Sequence, residues 1–401
     1  MYGLIGEFGH LSRVAATPAA APVRRTRRAS ARGAPLVGIV RNPRSHRNKG
    51  LAPELADCAN ILVETPRSHA ALRETLAGFA ERGIDYLAVD GGDGTVRDVL
   101  TCGAGIFGDD WPPLVILPKG KTNALVVDLG LPNAWTLPEA MEAIGRGKSI
   151  VRRPLVVETA RTGEQVQGFI LGTGAFTHGT QSGQQAHRWG MFNSFAVGLI
   201  IIWCLIQTMF ARSTNMWRKG TPMRLRSISV AGGDGTDLPR SRFGNPDERF
   251  VMVASTLERF PLGIRPFGPA RPGLKLAVVD APLRWIVAVI PVLLTGFDSA
   301  FLRRHGANRF DVDMLDLELG DRLPWTESIF PPGITACARD RNCASWFRDH
   351  AACRPDPFRP HPNQPERPRR SGGARPCGAS GRGGGRVGGA VLRIELAHRI
   401  A

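Results

Sequence analysis

Between Val37 and about Gly147, short apolar runs alternate with stretches in which apolar positions recur every three to four residues. "LVGIV" (36–40), "ILVE" (61–64), "YLAVD" (86–90) and "LVILP" (114–118) are nearly continuous in apolar residues, the pattern of strands covered on both faces. Between them the helical period predicts a short helix over 49–60, a helix over "SHAALRETLAGFAERG" with Ser68 as N-cap and Gly83 as its stop, and a helix over "TVRDVLTCG". Strand, helix, strand at this spacing means a parallel sheet with helices on its faces.

After Ser149 the period changes. "IVRRPLVVE", "VQGFILGTGAF", "LRSISVA", "RFVMVAST", "LKLAVVD" and "FDVDMLDLEL" are strand-like runs between Gly, Pro and charged turns, which predicts an antiparallel β domain over 150–323. Residues 1–35 are an Ala/Arg/Pro leader without the order of a signal peptide, and 324–401 are rich in Pro, Gly and Arg; both are expected to be disordered. "FAVGLIIIWCLI" (195–206), continued to Phe210, is shorter than the roughly 20 residues that a membrane span needs. It predicts a buried helix or one lying at a membrane interface, as does "WIVAVIPVLL" (285–294), which Pro291 interrupts.

The letters Gly-Gly-Asp-Gly-Thr occur twice, at 91–95 and 232–236. The first copy leaves a strand and opens a helix, so backbone NH groups and the positive end of a helix dipole converge into an anion site. Gly91, Gly92 and Gly94 have no Cβ, which allows positive φ and lets a phosphate approach the main chain closely. Thr95 is expected to cap the helix, with Asp98 as an imperfect capping-box partner. A carboxylate beside phosphates repels them unless a divalent cation lies between, so Asp93 predicts Mg²⁺. The second copy ends a β run and is followed by Pro239 and no helical repeat, and it reads as a turn between antiparallel strands.

Two more segments reach the same sheet edge, "RNPRSH" (41–46) and "LPKGKTNALVVDLG" (117–130). Ligands of such sheets bind outside the carboxyl ends of the strands, where these loops gather. Asn42 brings an amide, Gly120 a second close backbone approach, and Lys121, Thr122 and Asn123 bring donors at a helix start. The predicted architecture is therefore α/β: an N-terminal parallel-sheet nucleotide-binding domain (36–149) followed by a C-terminal antiparallel β-sandwich domain.

The net charge of +17 invites a nucleic-acid partner, but twelve of those charges sit in residues 1–36 and 325–401 without interleaved aromatics. No specific nucleic-acid partner is expected. Seven cysteines with no CxxC pair and no zinc-ligand spacing predict a reduced, cytoplasmic setting.

The chain resembles the diacylglycerol kinase catalytic domain of bacterial lipid kinases, whose fold is similar to that of NAD kinases. The likeness runs from about residue 36 to 323. It rests on "NPRS" for the family's Asn-Pro-x-Ser-Gly, on "VDGGDGTVRDV", and on "LPKGKTN" for Pro-x-Gly-Thr-x-Asn. It implies that Asn42, Thr65, Gly91, Gly92, Asp93, Gly94, Thr95, Gly120, Lys121, Thr122 and Asn123 hold ATP. It also implies Mg²⁺ as cofactor, a lipid presented by the β domain, and work at the inner face of the membrane as a peripheral protein; a homodimer is compatible with it. His46 replaces the usual Gly, and Lys121 replaces a phosphate-contacting Thr, contributing a cation instead.

A third departure touches the chemistry. Where the family carries Asp-Gly-Glu, with the carboxylate that deprotonates the acceptor hydroxyl, this chain has Thr326-Glu327-Ser328, which leaves Glu327 as the candidate catalytic base. With codons TGG-ACG-GAG-AG for Trp325 to Ser328, the frame one base upstream reads GAC-GGA-GAG, Asp-Gly-Glu. Residues from about 323 onward are then expected to be an out-of-frame translation, which the nucleotide sequence over codons 320–330 tests. The expected function is an ATP-dependent lipid kinase acting on diacylglycerol; the alternatives are a catalytically impaired nucleotide- or lipid-binding relative, or an NAD kinase-like enzyme.

Overall fold

A computed structural model of the 401-residue chain describes residues 34–51, 57–108, 110–146, 149–159, 165–177, 206–210, 220–229, 235–242, 245–280, 289–319, 335–337 and 390–396. The N-terminal part is a parallel sheet of β1 (Val37–Arg41), β2 (Ile61–Glu64), β3 (Tyr86–Gly91) and β4 (Leu114–Pro118), in the order β2-β1-β3-β4. The continuous apolar runs follow from burial on both faces. Val40, Leu87, Val89 and Ile116 pack on α1 (His69–Arg82) and α2 (Asp93–Phe107), while Val37, Ile39, Ala88, Val115 and Leu117 pack on α4 (Leu137–Gly145). Ser68 caps α1 by accepting from Ala71 NH at 3.1 Å, and Gly83 ends it at φ 61, both as the sequence predicts.

Residues 52–56, the middle of the short helix expected over 49–60, lie outside the described residues; 49–50 and 59–60 are turns. At the start of this stretch the Arg41 guanidinium donates to Leu51 O at 2.6 Å, and Asn48 is tied to Asp90.

The C-terminal part contains β5 (Leu155–Thr159), β6 (Gln165–Gly168), β7 (Ile170–Gly174), β8 (Thr221–Ile228), β9 (Thr236–Asp237), β10 (Glu248–Arg249), β11 (Val251–Ser255), β12 (Leu274–Val279), β13 (Ala307–Val312), β14 (Met314–Leu319), β15 (Thr335–Cys337) and β16 (Ala390–Leu396). They form two antiparallel sheets. One has the order β10-β8-β14-β16-β5-β15, with β6 beside β5 and β9 beside β8; the other has the order β13-β12-β11-β7. Leu155, Val157, Met223, Leu225, Leu315 and Leu317 from the first meet Leu171, Met252, Leu274, Leu276 and Val278 from the second in one core.

Two runs that read as single strands each divide between the sheets. "VQGFILGTG" becomes β6 and β7 with Phe169 between them, and "FDVDMLDLEL" becomes the end of β13 and then β14 with Asp313 between them. Within 324–401, Thr335–Cys337 and Ala390–Leu396 are β15 and β16 of the larger sheet, and the rest of that segment lies outside the described residues. "AVLRIEL" is itself a strand-forming run inside that segment. Residues 195–205 and 281–288 of the apolar stretches lie outside the described residues, as do 1–33. Among the described residues no helix is long and apolar enough to cross a membrane.

Helix α3 (Ala124–Leu129) joins the two parts. The buried Asp128 carboxylate accepts Glu258 NH at 2.7 Å, Arg259 NH at 2.8 Å and Arg152 Nε at 2.7 Å. Asp128→Ala strands these donors, but Arg152 keeps partial solvent contact and has Glu258 at 3.5 Å. The expected loss of stability is about 2–3 kcal/mol, read from urea unfolding.

In β12 the Lys275 ammonium is buried and donates to Arg271 O and Gly273 O, both at 2.9 Å. Burial pulls it down to about 8, and neighbouring Arg271 adds to that. Between about pH 8 and the ordinary lysine value near 10.4, the unfolded chain binds the extra proton, so stability rises with pH across that window. Lys275→Met is expected to lack that rise when unfolding free energies are compared at pH 7.5 and pH 10.

Candidate functional site

At the end of β3, Gly92 (φ −100, ψ −176) is the N-cap of α2, and Thr95 NH and Val96 NH return to its carbonyl at 2.9 and 3.1 Å. The amides of Asp93 and Gly94 are then those that a helix start leaves without an intrahelical acceptor. A Cβ on Gly91 would lie 2.4 Å from Thr95 Oγ1, and one on Gly92 would lie 2.9 Å from the Gly120 Cα. One on Gly120 would come within 2.7 Å of the Gly92 Cα, whereas one on Gly94 would meet nothing within 4 Å. Two glycine loops thus pack backbone to backbone, and a third glycine opens onto empty space at the head of a fifteen-residue helix. None of Gly91, Gly92 and Gly94 uses the positive φ that glycine allows; closeness of approach excludes a side chain at Gly91 and Gly92, and the space beside Gly94 is open.

The loop after β1 closes on this turn. Asn42 Nδ2 donates to Thr95 Oγ1 at 3.1 Å, and Asn42 NH donates to Asp90 O at 3.0 Å. The loop after β4 closes from the other side, with Lys119 NH on Gly91 O at 3.1 Å and Arg47 NH on Lys119 O at 3.1 Å. Asn123, at φ 49, bonds Gly120 through both ends of its amide. Asp93 accepts Ala124 NH at 2.9 Å and Leu125 NH at 3.2 Å, so its carboxylate caps α3, and whatever it offers a cation comes from the lone pairs those bonds leave.

Lys121 and Thr122 are exposed on the same loop; partial burial, and then Lys49, hold the Lys121 ammonium below its ordinary value. Thr65 is exposed immediately after β2, on the same edge of the sheet. Arg44, Arg47 and Lys49 also lie exposed in the β1 loop, so the edge carries positive potential.

Thr95 does not cap α2, since its hydroxyl receives Asn42, and Asp98 is no capping partner. Asp98 is buried against Arg97 at 2.8 Å and His69 at 3.6 Å, because position 98 faces α1 rather than the helix start. Glu327 lies outside the described residues. Among the described residues no group of three or more His, Cys, Asp or Glu could hold a metal ion. Thr236 begins β9, which pairs antiparallel with β8, so the second Gly-Gly-Asp-Gly-Thr runs into a strand and not a helix.

Residues 41–153 match the model of the diacylglycerol kinase catalytic domain. This stretch is similar to that family. The chain shares 32% identity over 94 residues with proteins named "Probable lipid kinase YegS" from Shigella flexneri and from Escherichia coli O157:H7, a match covering 23% of this chain and only 29% of each relative. A solved diacylglycerol kinase structure from Bacillus anthracis str. Sterne overlays with 17% identity and a TM-score of 0.42, covering 71% of this chain and 86% of the other.

Beneath the Gly91–Thr95 turn lies a network absent from the sequence expectations. Arg41 Nη1 donates to Asp90 Oδ2 at 2.8 Å, and Asn48 Nδ2 donates to Asp90 Oδ1 at 3.0 Å, all buried. Arg41 and Asp90 are register partners at the ends of β1 and β3. The signal was available, since "LVGIVR" and "YLAVD" end two buried runs in opposite charges, and each charge would be costly there alone.

Proposed function

We propose that this chain is an ATP-dependent lipid kinase that binds the nucleotide's phosphates at the head of α2 and transfers the terminal phosphoryl to a lipid hydroxyl, with diacylglycerol as acceptor. The observation that carries this reading is the contact between Gly92 and Gly120, which presses two loops together beside the Asp93 and Gly94 amides that the start of α2 leaves without intrahelical acceptors, with open space at the Gly94 Cα. Those amides and the α2 dipole orient phosphate oxygens, and Lys121 with the β1-loop arginines draws the anion in. Asn42 holds the turn through Thr95, and Asp93 holds the opposite loop through α3.

The donor set fits a magnesium ion carried in on the triphosphate, with Asp93 the protein's contribution; such an ion supplies neutralisation of charge during transfer. The protein works at a membrane surface from the cytoplasmic side, as a lipid acceptor requires. A second reading is a relative that binds nucleotide without turnover, favoured by Thr326-Glu327-Ser328 in place of Asp-Gly-Glu. Titration of the full chain with Mg·ATP, followed by the amide signals of residues 91–95 and 120–123, is paired with a phosphoryl-transfer assay on diacylglycerol in micelles. Shifted signals with transfer support the kinase, and shifted signals without transfer support the second reading. Unmoved signals in a folded sample overturn both.

A further inference from the structure

Ten large apolar side chains are exposed among the described residues, and six of them, Ile206, Phe210, Leu262, Val292, Phe297 and Phe301, belong to one neighbourhood. Residues 206–210 and the short helices Ile290–Leu294 and Ala300–Arg304 share an underlying core. In it Met209, Ile290, Leu293 and Leu302 meet Phe250 and Val279 at one end of the four-stranded sheet. The turn Pro261–Gly263 leads into the same assembly: Arg265 NH donates to Leu294 O at 2.6 Å, and the Arg309 guanidinium reaches both Pro266 O at 2.8 Å and Phe297 O at 3.0 Å. Leu262 is 96% exposed at φ 61, a conformation disfavoured for any residue with a Cβ.

The rim of this surface is basic. Arg259, Arg265, Arg303 and Arg304 are exposed there, and the acid among them, Asp298, is already paired with Arg303 at 2.6 Å. Arg265 and Arg304 have no carboxylate within ion-pair distance among the described residues. Isolated apolar tips are ordinary on a protein surface, whereas six gathered in one region beside uncompensated arginines are the composition of an interfacial membrane contact.

We propose that this face docks on an anionic phospholipid bilayer, with Phe297, Phe301, Val292 and Leu262 entering the boundary between headgroups and acyl chains and the arginines meeting lipid phosphates. The purpose of the contact rests on the lipid-kinase reading, while the face itself is argued from exposure and charge. Its placement suits that purpose, because the segment leading to Leu262 is bonded to α3 through Asp128, beside the nucleotide edge.

The test is sedimentation of the full chain with vesicles of phosphatidylcholine, with and without phosphatidylglycerol. Binding is expected to need the anionic lipid and to weaken as salt is raised. Arg265→Gln and Arg304→Gln are each expected to lower affinity about fivefold. Phe297→Ser with Phe301→Ser is expected to lower it about a hundredfold, and Val151→Ser, exposed elsewhere, should change nothing. Failure to bind, equal binding to neutral vesicles, or indifference to the phenylalanine pair overturns the proposal. So does a self-associated chain that the phenylalanine pair dissociates, since the occupant is then a second copy. Vesicle binding in a sample that ignores Mg·ATP leaves this face standing and removes the kinase; the converse result removes the face alone.

Discussion

Gly92→Ala is expected to raise the Kd for Mg·ATP about ten- to a hundredfold, because misplaced amides lose a hydrogen bond to a charged group, worth about 1.5–3 kcal/mol. The new Cβ would lie 2.9 Å from the Gly120 Cα, with main chain on both sides and no side chain able to swing away. The two loops must part, which disturbs the Lys119 NH to Gly91 O bond and the grip of Asp93 on α3. Stability is expected to fall by about 1–3 kcal/mol, the usual cost of overpacking. Gly94→Ala supplies the contrast. Its Cβ meets nothing within 4 Å, so the fold is retained and α2 gains up to about 1 kcal/mol of helix propensity. The methyl group nevertheless occupies the space assigned to phosphate, so nucleotide binding weakens without loss of stability. Calorimetric titration beside urea unfolding separates these effects, and two variants that bind Mg·ATP like the parent would refute the site.

Asp90→Asn is expected to cost about 3–5 kcal/mol, the range for removing one partner of a buried ion pair. Arg41 cannot turn to water, since its side chain is 6% exposed and its other contacts are the carbonyls of Asn48 and Leu51. Its charge would be left with neutral acceptors alone. Replacing both partners, as Arg41→Met with Asp90→Asn, is expected to recover part of the loss, because no uncompensated ion remains. The denaturation midpoints of the single and double variants decide this; a single variant within 1 kcal/mol of the parent would contradict the burial of the pair.

The parallel sheet was legible because its evidence is local. "ILVE" and "LVILP" coincide with β2 and β4, and Ser68 and Gly83 bound α1, since an apolar run and a cap each act over a few residues. The sandwich was legible in kind but not in connectivity. A step from one sheet to the other at Phe169 or Asp313 keeps the strand-like alternation, so nothing in the run of letters marks the crossing. The site was legible as a meeting of three loops, and less so in its contacts. The need for glycine at 92 comes from a partner loop twenty-eight positions along the chain, at Gly120, which only tertiary packing reveals. Asp128 was hidden for the same reason, because its donors belong to Arg152, Glu258 and Arg259.

Helix α3 is gripped by the Asp93 carboxylate at its first residues and by backbone from the far sheet through Asp128 near its last. At six residues it is about 9 Å long, too short to bend and absorb a displacement. It therefore ties the glycine turn to the stretch that ends in Leu262 through hydrogen bonds at both of its ends.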